Sequence, residues 1–278
     1  MKNILKIMLM MITIFTIAGS AVYAAEIPVS DQDQLITSSD WTEISNLQDE
    51  MKKEEPDATI DYDKALKVYV DCNLIKLQTA DTKKLTSALE SANYVWVIPF
   101  KMEKTYGMFT VAKGLPLSEE AKSVLTKAEQ EEVKNHAGKW MITEIAEHTV
   151  EPYYDILLEK REALSDCTRV VLVGSQPGMR QPVALGMDDE TARIWISLGY
   201  QYPVMEKIPE TQNVESGVYS FDSVAEISDT YIEDSEVSTG VGVQSRSSMK
   251  YVAGIGIVLI GSILILSVLK KKKIKSED

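Results

Sequence analysis

The sequence predicts an α+β domain: a mostly antiparallel sheet with helices packed on one face, between an N-terminal signal peptide and a C-terminal transmembrane helix. Three observations predict it. Apolar strand-like runs alternate with amphipathic helical runs between residues 61 and 205. Neighbouring strands are joined by short polar turns, which favours antiparallel pairing. Those 145 residues have an ordinary globular composition and suffice for one core.

Residues 1–24 read as a signal peptide. Lys2 and Lys6 precede and enter an apolar stretch from Ile4 to Ile17, and Val22-Tyr23-Ala24 supplies the small residues of a cleavage site after Ala24. The apolar stretch is short for a ~20-residue span, and no Cys follows it that could be acylated.

Residues 25–60 form an acidic segment with one short amphipathic helix. Trp41, Ile44, Leu47 and Met51 recur at helical spacing after Ser39 and Asp40, either of which can cap, and Glu54-Glu55-Pro56-Asp57 stops the run. A strand follows over 65–71. Asp81 then caps a helix over 82–92, with Leu85, Ala88, Leu89 and Ala92 on one face.

Tyr94 to Phe100 is apolar on both alternating faces and pairs with Met108 to Ala112 as a hairpin with a polar tip. Pro99 weakens its late end, because it cannot donate a ladder bond. Residues 118–137 read as one long helix with Ala121, Val124, Leu125 and Ala128 inward and Gly138 as its stop. A short strand over 140–145 precedes a helix over 152–165 with Ile156, Leu157 and Leu164 inward. Strands at 169–173, 183–187 and 192–198 complete a meander, with turns at 176–178 and 188–190.

Residues 206–249 hold nine acids against two bases, lack a sustained period of 2 or 3.6 and have few large apolar groups, so an extended acidic stalk is expected. Residues 251–269 carry no charge, and nineteen residues at ~1.5 Å each nearly cross a ~30 Å hydrocarbon core. Lys270 to Lys273 and Lys275 place the tail, 270–278, in the cytoplasm. The expectation is a single-pass cell-membrane protein with its N-terminal part outside, in contact with the membrane through 251–269. A C-terminal span of this kind suits a bacterium with a single membrane.

Charge narrows the function. The chain carries a formal −13, and residues 26–249 hold 40 acidic against 21 basic residues. A nucleic-acid surface needs concentrated basic charge, so that class is excluded. Neither a metal nor any other cofactor is expected: His136 and His148 lie twelve residues apart, a helix-end and a loop position, rather than one helical turn apart as in a zinc helix. Gly174-Ser175-Gln176-Pro177-Gly178 follows an apolar strand but has Val173 and Pro177 where a nucleophile elbow needs glycine. No catalytic residues are therefore assigned.

Cys72 and Cys167 form either a disulfide, which over this separation adds at most about 4–5 kcal/mol, or two separate buried thiols. The aromatic residues give the remaining handle. Tyr106 at the hairpin tip, Tyr153 and Tyr154 at a helix start, and Tyr200 and Tyr202 after the last strand are the tyrosines expected to be exposed and to bind a ligand. The function these features suggest is a non-enzymatic, membrane-anchored extracytoplasmic binding or interaction module, with a protein partner or small ligand. The alternatives are an accessory subunit of an envelope complex, or a surface hydrolase with dispersed groups such as Asp61 or Asp63 with His148.

Overall fold

The computed structural model describes residues 27–148, 151–174, 176–179, 181–200 and 202–235. The expected signal peptide, membrane span and tail lie outside them. Among the described residues, no helix is long and apolar enough to cross a membrane.

The fold is α+β around one large, mostly antiparallel sheet. Its strands are β1 (Thr59–Ile60), β2 (Leu66–Val70), β3 (Asn93–Lys101), β4 (Tyr106–Lys113), β5 (Trp140–His148), β6 (Arg169–Val173), β7 (Val183–Met187), β8 (Ala192–Ile196), β9 (Asn213–Glu215) and β10 (Val218–Ser220). They lie in the order β5-β4-β3-β2-β6-β7-β8-β10-β9, with β1 also on β3. Every pairing is antiparallel except the central one, where β2 runs parallel to β6 through Val68↔Leu172 and Tyr69↔Val173. The described helices are α1 (Trp41–Ser45), α2 (Gln48–Glu54), α3 (Thr82–Glu90), α4 (Glu119–Val124), α5 (Lys127–His136), α6 (Tyr153–Glu159) and α7 (Phe221–Ser235).

Helices flank both faces of the sheet, not one. On the first face, Tyr69, Val171, Val173, Leu185 and Trp195 pack with Leu85 and Leu89 of α3 and Phe221 and Val224 of α7. On the opposite face, Leu66, Val68, Val170, Leu172, Ala184 and Ile196 pack with Tyr153 and Leu157 of α6. The cause is legible in β6 and β7, where Val170 to Val173 and Val183 to Met187 are buried at every position. A strand that is apolar on both sides needs cover on both sides.

The acidic segment before residue 60 is part of this body. Leu35, Ile44 and Met51 are fully buried against Trp96, Ile98, Phe100, Phe109 and Val111 of β3 and β4. The helix expected over residues 41–51 is present as two short pieces, α1 and α2. Asp81 caps α3 as expected, accepting from the backbone N–H groups of Lys83 and Lys84.

Two further expectations require correction. The long helix over 118–137 is broken into α4 and α5, because Thr126 starts a second helix with a capping box closed by Glu129. Leu125 and Val133 turn inward, while Val124, expected to be inward, is 73% exposed. The stalk expected from residue 206 is folded as far as residue 235. There β10 pairs with β8, β9 pairs with β10, and the Phe221 ring stacks on Trp195 at 5.7 Å. Ile208, Val218, Phe221 and Val224 are few, yet all are buried. Gly217, at φ 74°, makes the tight turn that joins the two strands. Well-placed apolar groups outweigh the dispersed acidic repulsion.

Candidate functional site

The described residues contain two polar clusters embedded in the sheet. The first lies at its centre. Parallel pairing of β2 with β6 covers only two residue pairs, and beyond them the N-terminal segment wedges between the strands: Val29 bridges Val170 and Gln34 bridges Leu66. Asp33, 2% exposed, fills this fork. Its Oδ1 accepts from the Tyr69 hydroxyl at 2.7 Å, and its Oδ2 accepts from Ser30 Oγ at 2.6 Å and Arg169 Nη2 at 3.0 Å. Lys67 Nζ stands 3.8 Å from Oδ1 and lies over three rings, with Tyr94 nearest at 4.6 Å, then Trp96 and Tyr69. A second carboxylate, Asp40, accepts from Tyr94 at 2.8 Å and Trp96 Nε1 at 3.0 Å.

Burial lowers the Lys67 pKa, and the charges of Asp33 and Asp40 oppose that shift. Burial together with the bond to Asp33 raises Tyr69. A buried amine beside a carboxylate is the raw material of nucleophilic or proton-transfer chemistry. Here, however, the groups face one another, and the adjoining crevice along Val29, Leu66, Leu157 and Val170 has no room for a water-sized molecule. The cluster acts as a fastener between the N-terminal segment, β2 and β6.

The second cluster lies at the β5 side of the opposite face. Glu144 is paired across the ladder with Thr110, whose hydroxyl reaches its carboxylate at 3.5 Å. Its pKa is raised, chiefly by desolvation. The charge of Glu144 is felt at Tyr153 and Tyr200, whose hydroxyls lie 3.3 Å apart. Tyr200 also meets Tyr202 edge-on at 6.4 Å.

Three of the five tyrosines singled out in the sequence, Tyr153, Tyr200 and Tyr202, therefore come together. Tyr106 starts β4 and Tyr154 lies in the first turn of α6, each half-buried. The expectation of exposure fails for Tyr153 and Tyr202, which are 6% and 2% exposed. Tyr153 sits in the core under α6, and the Tyr202 hydroxyl donates to the Pro182 carbonyl.

Cys72 and Cys167 are separate buried thiols, one in each face's core. The sheet between them prevents a bridge, so the disulfide alternative is set aside. Burial pushes both thiols up to about 11. The loop that resembled a failed nucleophile elbow has a fastening role: Gln176 donates to the carbonyls of Cys72 and Gly174 and accepts from the Leu74 N–H. Asp61 does not converge with β5. Its N–H bonds the Pro99 carbonyl, and the ladder from Pro99 runs through Met108 to Ala146, three strand spacings or about 14 Å in all. Asp63 is exposed. No group of three or more His, Cys, Asp or Glu able to hold a metal is found among the described residues.

Asp33, Lys67 and Arg169 are not singled out by the sequence, Gln176 enters there only as a turn residue, and Glu144 only as an acid near His136 and His148. Lys67 and Glu144 did leave a trace: each is a charge inside an otherwise apolar strand run, Ala-Leu-Lys-Val-Tyr-Val and Trp-Met-Ile-Thr-Glu-Ile-Ala. Asp33 left none, being one acid among ten between residues 26 and 60. No protein-family model, curated protein or solved structure matches the chain.

Asp33→Ala is expected to cost about 3–5 kcal/mol in urea unfolding, because it strands Arg169 and Lys67 as buried charges. The double variant Asp33→Leu with Arg169→Met should lose less than the sum of the two single changes. Native chain at pH 8 should react slowly with iodoacetamide at both Cys72 and Cys167, and quickly at both once unfolded without any reductant; a need for reductant would indicate a bridge. Because the folded pKa of Glu144 lies above its ordinary value of 4.5, its favourable contribution is complete below that value and fades as pH rises through the folded pKa. Glu144→Gln should thus stabilise the chain at pH 7, with the gain vanishing near pH 4 in matched unfolding curves.

Proposed function

We propose that the chain is a membrane-anchored extracytoplasmic interaction module, non-enzymatic, held by residues 251–269 with its tail, 270–278, in the cytoplasm. In this reading residues 1–24 direct export and are removed, and a short tether from residue 236, rich in Ser, Gly and Val, links the sheet domain to the span. The tether is shorter than a stalk starting at residue 206, because α7 carries the folded part to residue 235.

The observation that carries the reading is how the polar side chains are used. Asp33, Asp40, Lys67, Arg169 and Gln176 are spent on fastening one segment to another. The sheet meanwhile ends in a nine-residue edge strand, β5, while its other edge, β9, has three residues. A scaffold fastened inside and open along one long edge suits binding.

The proposal is tested in the native membrane. Protease added to intact cells stripped of their wall should remove the described domain and leave a membrane fragment containing 251–278. Alkaline carbonate should fail to release the full chain. Release by carbonate, or full protection from protease, would overturn the topology. Crosslinking before mild-detergent purification then separates a stand-alone module from an accessory subunit, which would bring a stoichiometric membrane partner with it.

A further inference from the structure

The β5 edge offers a specific mode of recognition. Among the described residues, no backbone hydrogen bond of 140–147 reaches an element other than β4. Such a row of unpaired N–H and C=O groups is a template for another strand. Glu144 is the middle residue of β5, and among the described residues its carboxylate takes one long side-chain hydrogen bond, from Thr110, and enters no ion pair. The strand also carries Glu147 and contains no Lys or Arg.

We propose that β5 binds an extended segment of a partner protein by strand addition, with a Lys or Arg of that segment opposite Glu144. This rests on reading the chain as an interaction module, and it names the partner's chemistry. Directly opposed residues of an antiparallel pair share a face with Cβ atoms about 5 Å apart, so a basic side chain there reaches the Glu144 carboxylate. A second copy of the chain fits poorly: full antiparallel overlap of two β5 strands sets residue 144 against its own symmetry mate, acid against acid.

The test uses the full chain in detergent and three labelled octapeptides: alternating valine and lysine, alternating valine and glutamate, and the lysine peptide N-methylated at alternate residues. Fluorescence anisotropy reads binding, and hydrogen exchange reads protection of 140–148. The lysine peptide should bind and protect 140–148, whereas the glutamate and N-methylated peptides should not bind. Glu144→Gln, a substitution that should leave the fold intact, should weaken binding about fivefold. Glu144→Lys should transfer the preference to the glutamate peptide.

Binding that leaves 140–148 unprotected, or that Glu144→Gln leaves unchanged, would overturn the proposal. So would a wild-type dimer protected at 140–148, which would make a second copy the occupant. Absence of peptide binding together with self-association of the Glu144→Gln chain would also overturn it, assigning Glu144 to repelling other edges. Failure of the membrane topology would appear only in the protease and carbonate experiments and leaves the peptide titration readable.

Discussion

The carboxylate of Asp33 is the constraint on which the rest of the structure depends. Three donors converge on it from three segments: Ser30 in the N-terminal segment, Tyr69 on β2 and Arg169 on β6. It sits where the parallel pairing of β2 with β6 opens. Beyond their two paired residues, β2 and β6 do not supply each other's backbone partners. The wedge supplies backbone partners, including the Pro28 carbonyl for the Val170 N–H and the Leu35 N–H for the Ala65 carbonyl. The carboxylate supplies the charge that makes Arg169 and Lys67 tolerable so close to the core.

That fastening makes the acidic N-terminal segment structural. With Asp33 held at the fork, Leu35 enters the core, and the following α1 and α2 deliver Ile44 and Met51 onto β3 and β4. Asp40 repeats the device on a smaller scale by accepting from Tyr94 and Trp96. Both networks join segments distant in the sequence, and in the first the Arg169 Nε is left as a buried donor without a partner among the described residues.

The sheet's two ends differ in kind. At one end, the short β9 follows a tight turn, and α7 lays Phe221 over the neighbouring Trp195. At the other, β5 pairs among the described residues with β4 alone, through a ladder with one register shift, and carries a carboxylate on a partly buried face. A charge at the centre of such an edge discourages pairing with other edges.

Local pattern determined much of the architecture. Short continuous apolar runs located the 94–100 and 108–112 hairpin and the 169–187 strands, Asp81 announced the start of α3, and the predominance of antiparallel pairing followed from short polar turns between neighbours. These are properties of a few adjacent residues, so sequence carries them. Four features were decided by tertiary structure: helices on both faces, the folding of 206–235, the separation of Cys72 from Cys167, and the convergence of Tyr153, Tyr200 and Tyr202. Each depends on where distant strands lie in the sheet. The parallel contact of β2 with β6 brings together residues about a hundred positions apart, and no local period encodes such a contact. Asp33 shows the reason most plainly: in sequence it is one acid in an acidic stretch, and only the fork it fills gives it a role.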